Sequence, residues 1–412
     1  MAAATHPAAD GLSGFGGALT VLDQELLNGL DQALPELIEL RRHLHAHPEL
    51  SGEEHQTAAL VAGELRACGW RVQEGVGRTG VVAEAGPLDG PTVGLRVDMD
   101  ALPVEERTGL SFASTRQGVM HACGHDLHTC IGLGVARLLG AREELPFRVR
   151  LLFQPAEELA QGAVWMRDAG ATDGLNALFG VHVVPNLPGG SVGIRRGCLT
   201  AAAGELEIQI QGEGGHGARP HQAVDAIWLA ARVVTELQQA ISRRLDALQP
   251  VVISFGRVEG GRAFNVIADR VRLLGTVRCL DLDLHGRLPA WIDDTVQAIC
   301  RSGGGEAEVS YRCIAPPVHN DPGLTDLMEG RAVQLLGRDQ VLPVDLPSLG
   351  AEDFAELLRD VPGTMLRLGV AGLDGCAPLH HGRFQLDERA LGVGIQVLTA
   401  TLLEWMEVQS PR

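Results

Sequence analysis

Two β-rich runs, TVGLRV (residues 92–97) and RVRLLF (148–153), flank HTCIGLGVARLL (128–139), which reads as a helix with small residues on one face. A strand, a helix and another strand in that order indicate layers of helix on a largely parallel sheet. Working outward, Leu22–Arg42 carries apolar residues at helical spacing, with Pro35 a boundary or kink. Glu54–Cys68 reads as a second helix closed by Gly69, and Thr79–Ala85 as a further short β run.

Near residue 199 the pattern changes. Glu205–Gln211 alternates polar and apolar residues, as a half-exposed antiparallel strand does. A helix over 223–245, strands at 251–258 and 270–277, a helix over 288–300 and a strand near 306–312 follow. The order βαββαβ describes a ferredoxin-like unit. After Pro316-Pro317 the α/β character returns, ending in a helix over 391–408. The expected architecture is therefore a catalytic domain (1–198 and 314–412) interrupted by a smaller α+β domain (199–313). Such a division suits 412 residues, too many for one ordinary core.

A net charge of −18 repels phosphate backbones and anionic lipid, so nucleic acid and membrane are poor partners. No run of about 18 apolar residues is present to span a bilayer. Residues 1–20 read as a frayed tail and not as a signal peptide. Eight cysteines without a CxxC pair suggest reduced thiols and a cytoplasmic setting.

The segment HACGHDLH (121–128) gathers thiol and imidazole groups that suit zinc and related ions. Glu157-Glu158 follows the strand at 148–153, and the C-terminal ends of strands are where open α/β sheets bind ligands. One carboxylate can ligate while its neighbour moves a proton, and spacing does not choose between them. His182 stands at another strand end, and His380-His381 in a turn before the final helix. Cys123, His125, Glu158, His182 and His380 together make five ligands, too many for one tetrahedral ion and right for two that share them. Asp98 and Asp100 close the strand at 92–97; Asp100 can fix the tautomer of a ligating His, while capping a turn is the plain alternative for both. His43, His45, His47 and His55 point different ways at a helix end and read as structural.

Five motifs stand in one order: RVDMDALP (96–103), HACGHD (121–126), QPAEE (154–158), GVHV (180–183) and PLHHGRF (378–384). The set resembles the metallo-amidohydrolases that include hippurate hydrolase, N-acyl-amino-acid deacylases and auxin-conjugate hydrolases. The likeness runs from about residue 36, through RRHLHAHPELSGEE (41–54), to residue 388. It implies two divalent ions, zinc or manganese with cobalt or nickel possible, held by the five ligands above. It further implies Glu157 as the general base that activates water, and Asp100 as the supporting carboxylate. GEGGHGARPH (212–221) resembles the family's glycine-rich lid segment. There His216 would stabilise the oxyanion across a homodimer formed through the inserted lid domain. His221, Asn265 and Arg278 would grip the substrate, a small N-acyl amino acid. Three departures stand out: Ala268 for a usual Pro, Leu159-Ala-Gln161 for a Gly-rich stretch, and Gly217 for a usual Ala. The implied reaction is amide hydrolysis of N-acyl-L-amino acids; the rivals are a dipeptidase or carboxypeptidase of the same clan, or a silent conjugate-binding protein.

Overall fold

The computed structural model describes residues 21–409; the frayed tail expected over 1–20 lies outside them. Two long helices open the chain, α1 (Val21–Ala46) and α2 (His55–Ala67). Strands β1 (Arg71–Val76), β2 (Gly80–Ala85) and β3 (Thr92–Asp98) follow, then α3 (His125–Gly140), β4 (Arg148–Gln154), α4 (Gly162–Asp168), β5 (Ala177–Pro188) and β6 (Val192–Ile194). Next come β7 (Ala202–Gln211), α5 (Ala226–Arg244), β8 (Val251–Gly260), β9 (Arg270–Cys279), α6 (Leu282–Ser302) and β10 (Glu306–Ala315). The chain closes with α7 (Pro322–Leu336), β11 (Val341–Pro343), β12 (Gly363–Ala371) and α8 (Arg389–Gln409).

Among the described residues the chain divides into two compact units. One takes 21–197, 320–345 and 357–409; the other takes 198–319 and 346–356. The first is built on an eight-stranded sheet in the order β1-β2-β4-β3-β5-β12-β6-β11. Its centre, β4-β3-β5-β12, is parallel, as the strand–helix–strand pattern requires. The β1-β2-β4 flank is antiparallel, so the sheet is mixed. Every residue of β3 is buried, as befits a strand at the centre of the sheet with parallel neighbours on both edges.

Helix α3 is the hub of this core, and its small residues explain how. A Cβ on Gly132 would come within 2.8 Å of Val97 and 2.9 Å of Phe153, the sheet side. A Cβ on Gly134 would come within 2.4 Å of Ile395 in α8 and 3.2 Å of Leu37 in α1. Glycine thus lets α3 sit close to the sheet and to two helices at once. Helix α8 is long and apolar enough to cross a membrane, yet 72% of that apolar window is buried in this core.

The second unit is a four-stranded antiparallel sheet, β8-β9-β7-β10, with α5 and α6, the βαββαβ order expected. Leu206, Ile208 and Ile210 of β7 are buried with Leu229, Val233 and Leu237 of α5 and Leu288, Ile292 and Val296 of α6. Asp225 caps α5 by accepting from Ile227 N at 2.9 Å, and Asp281 caps α6 by accepting from Leu284 N at 2.7 Å. Helix α6 therefore starts at Leu282, before Pro289, and not near Leu288.

Gly132→Val should destabilise the first unit, because the added methyls meet fully buried Val97 and Phe153. Overpacking of this kind costs about 1–3 kcal/mol. Chemical denaturation should show a lower midpoint; an unchanged midpoint would contradict the close packing of α3.

Candidate metal centre

The parallel strands end where the site begins. In the β3–β5 register the last pair is Arg96 and Gly180, so β5 runs beyond β3 and carries His182 two residues further, level with Asp98. Cys123 precedes α3, whose N-cap Gly124 has φ +79°. A Cβ there would also come within 2.8 Å of Val183, so only glycine fits this corner. His125 is then the first helical residue, three positions earlier than expected. On the far side of β4, Glu157 and Glu158 sit between Ala156 (φ +49°) and Ala160 (φ +51°), both in the left-handed region. His380 is a third non-glycine residue there, at φ +63°.

The His125 and His182 rings are each held through Nδ1. His125 Nδ1 lies 3.0 Å from the Asp100 carbonyl and 3.1 Å from its Oδ1, so it donates and Nε2 is left as the acceptor facing inward. His182 Nδ1 donates to the Val183 carbonyl at 2.8 Å, and its Nε2 lies 3.6 Å from Cys123 Sγ. His380 Nε2 lies 3.3 Å from Glu158 Oε1, which is 3.9 Å from His125 Nε2. His381 instead accepts from Arg383 N through Nδ1 at 3.1 Å, turned to its own backbone.

Asp100 ties these segments together. Its Oδ2 accepts from Ser51 Oγ at 2.6 Å and from Glu158 N at 3.0 Å, while Oδ1 takes His125. Asp98 bonds His128 Nδ1 at 2.6 Å and Arg96 at 2.8 Å. His128 Nε2 in turn accepts from Val183 N at 3.0 Å. The turn-capping alternative for the two aspartates therefore gives way to side-chain bonds with histidines. Ser51 and His128 went unassigned in the sequence. Both lie inside the quoted motifs, but only proximity in space reveals their partners.

Donor chemistry fits a cation. Cys123, His125 and His182 have ligand atoms within 4.8 Å of one another, as do Cys123, Glu158 and His380, and His125, Glu157 and Glu158. Ligands bonded at roughly 2.0–2.3 Å in a tetrahedron stand about 3.3–3.8 Å apart, close to the separations here. His125 Nε2 is buried without a hydrogen-bond partner among the described residues, and the nearest carboxylate oxygen to it, Glu158 Oε1, has only His380 Nε2 at 3.3 Å beside it. Burial pushes the Cys123 thiol well above its ordinary value, so a thiolate there needs a cation beside it. Burial also pushes His182 well down, which keeps its ring neutral and able to ligate. For Asp98 burial works upward, but the His128 ring N–H and the Arg96 guanidinium beside it hold the carboxyl well below the usual range.

The remaining sequence candidates have surroundings of their own. His45 is buried against Asp126 (2.9 Å), Glu106 (3.3 Å) and Arg41 (3.2 Å), and His47 bonds the His43 carbonyl. His216, His221, Asn265 and Arg278 belong to the second unit, the first three exposed. His216 pairs with Val266, and Gly217 N donates to the Asn265 carbonyl at 2.9 Å. A Cβ on Gly217 would press on that carbonyl at 2.9 Å, which accounts for glycine at this position. His216 Nδ1 accepts from Ala218 N at 3.1 Å, so Nε2 carries the proton and is a donor. Arg278 bonds Thr276 Oγ1 and the Val277 carbonyl.

Residues 94–404 match the model of Peptidase family M20/M25/M40. The N-acetyl-L-cysteine deacetylase of Bacillus subtilis is 38% identical over 375 residues, 90% of this chain and 89% of its own. The N-acyl-L-amino acid amidohydrolase of Geobacillus stearothermophilus is 41% identical over 300 residues, 72% of this chain and 81% of its own. Among solved structures, a Bacillus subtilis dinuclear metal binding peptidase of the M20 family superposes with TM-score 0.80 at 34% identity, covering 92% of this chain and 99% of that one. With a family match over most of its length and relatives above 30% identity, the chain belongs to Peptidase family M20/M25/M40 and is an amidohydrolase of that family.

Proposed function

We propose that the protein hydrolyses the amide bond of N-acyl-L-amino acids, releasing a carboxylic acid and a free amino acid. The convergence of one thiol, three imidazoles and Glu158 beside a second buried glutamate is the observation that carries this reading. The activities named for the deacetylase and amidohydrolase relatives point the same way. Cys123, His125, Glu158, His182 and His380 would hold two divalent ions, zinc or manganese. Bound there, such ions would polarise the amide carbonyl and make water acidic enough to attack near neutral pH.

The chain's own groups supply proton transfer and orientation. Glu157 takes the proton of the attacking water on a carboxylate oxygen and delivers it to the leaving amine nitrogen. Asp100 keeps the His125 proton on Nδ1, so Nε2 stays free to ligate. We assign the second unit to lid and dimer contacts in a homodimer. His216 Nε2–H then serves as a donor to the developing oxyanion. Arg278, with Asn265 and His221, receives the substrate carboxylate, a task suited to a guanidinium. All eight cysteines are free thiols, which supports a cytoplasmic setting.

Amine release from N-acetyl amino acids, hippurate and Gly-X dipeptides tests the reading. Cleavage of the acylated substrates and not of the dipeptides is expected; the reverse preference would make the protein a peptidase. Glu157→Gln should abolish turnover with metal content unchanged, and a fully active variant would remove Glu157 as the base. His216→Ala should lower kcat about a hundredfold to a thousandfold, the loss typical of one oxyanion donor; wild-type turnover would exclude the role. Stripping with a chelator should lower the melting temperature and added zinc or manganese should restore it. A melting curve indifferent to metal would contradict the ligand assignment.

A further inference from the structure

Between β3 and α3, residues 99–124 form no helix or strand of their own. A loop that long inside a compact unit is uncommon unless it has a task, and this one is tied down. Leu102 and Met120 exchange two backbone bonds of 3.0 Å. Glu106 accepts from Ser114 N at 2.6 Å and stands 3.3 Å from His45 Nε2, while Thr115 Oγ1 donates to the Ala46 carbonyl at 2.7 Å. The Phe112 ring lies under the Arg41 and Arg42 guanidiniums at 5.3 and 5.2 Å.

From this anchored loop two backbone bonds reach the turn that carries His380, one through Arg107 and one through Ala122. Arg107 N donates to the Gly382 carbonyl at 2.6 Å. Gly382 is also lodged so tightly that a Cβ would come within 2.3 Å of the Glu105 carbonyl oxygen. His380 needs such support more than the other donors. Cys123, His125 and His182 are buried, whereas the His380 side chain is 52% exposed on a left-handed backbone. Its own backbone tether is the bond from His380 N to the Ala122 carbonyl, 2.9 Å.

We propose that residues 105–107 act as a strap that positions His380 through Gly382. The strap thereby governs retention of the ion on the His380 and Glu158 side of Cys123, and leaves the ion on its His125 and His182 side alone. Gly382, Arg107 and Glu106 are positioning residues in this account, acting through His380. The inference rests on the two-ion reading above.

The test is metal content per chain, by elemental analysis of zinc-loaded protein during graded chelation, on wild type, Gly382→Ala and Glu106→Ala. Gly382→Ala forces the strap and turn apart by collision with the Glu105 carbonyl. Glu106→Ala loosens the strap at a residue that is not itself a donor, and decides the matter if the first variant does not fold. Wild type should hold two ions. Both variants should keep one as firmly as wild type and release the other about 10–100-fold more readily, as loss of ligand support typically does. Wild-type retention of both ions in the variants, or parallel loss of both, overturns the strap. Fewer than two ions in wild type overturns the two-ion reading itself.

Discussion

Ionised and hydrogen-bonding groups taken out of water must find partners, and the end of this sheet buries an unusual number of them. Asp98, Asp100, Glu157, Cys123, His125, His128 and His182 are all buried, drawn to this place from separate segments between residues 98 and 182. The protein meets the demand on one side only. Asp98 has Arg96 and His128; Asp100 has Ser51, His125 and the Glu158 amide; His182 has the Val183 carbonyl. His125 Nε2 has no such hydrogen bond among the described residues, and it faces Glu158 Oε1 at 3.9 Å, beside His380 Nε2. Leaving a buried polar atom unmade costs about 1–3 kcal/mol. A site that meets that cost at a donor atom of metal-ligating type is organised around positive charge.

The same demand explains where the backbone departs from easy geometry. Among the described residues four non-glycines have positive φ, and three of them, Ala156, Ala160 and His380, flank or carry the donors. Such conformations cost about 1–3 kcal/mol each and persist only where surrounding structure enforces them. Glu54 helps to enforce one, accepting from Ala156 N at 2.9 Å. Gly162 closes the same turn so tightly that a Cβ would lie 1.6 Å from the Pro155 carbonyl oxygen. A buried central sheet, with α3 pressed against it by glycine, supplies the rigidity that holds these turns.

Much of this was legible in the residues. The strand–helix–strand run at 92–153 foretold the parallel centre, and alternation from 205 onward foretold the antiparallel second sheet. Period-two and period-3.6 patterns record burial, so they carry layer architecture directly. The antiparallel flank formed by β1 and β2 was not legible, because strand direction at an edge leaves no mark on local periodicity. The start of α3 was misplaced since Gly124 supplies a left-handed N-cap with no side-chain cap to read. Ligand chemistry alone proposed the five donors, but choosing Glu158 over Glu157 and His380 over His381 needed the resemblance. In the structure the His380 ring turns toward Glu158 and the His381 ring toward its own backbone. Ser51 and His128 are polar residues whose partners lie 49 and 30 positions away in sequence, a separation no local pattern encodes.

X-ray absorption at the zinc edge of reconstituted protein tests the central claim most directly. A cation pair gathered by Cys123, imidazoles and carboxylate should give a sulfur shell at about 2.3 Å, nitrogen and oxygen at about 2.0–2.2 Å, and a metal–metal distance near 3.5–4 Å. A spectrum with oxygen and nitrogen only, and no second metal, would contradict it.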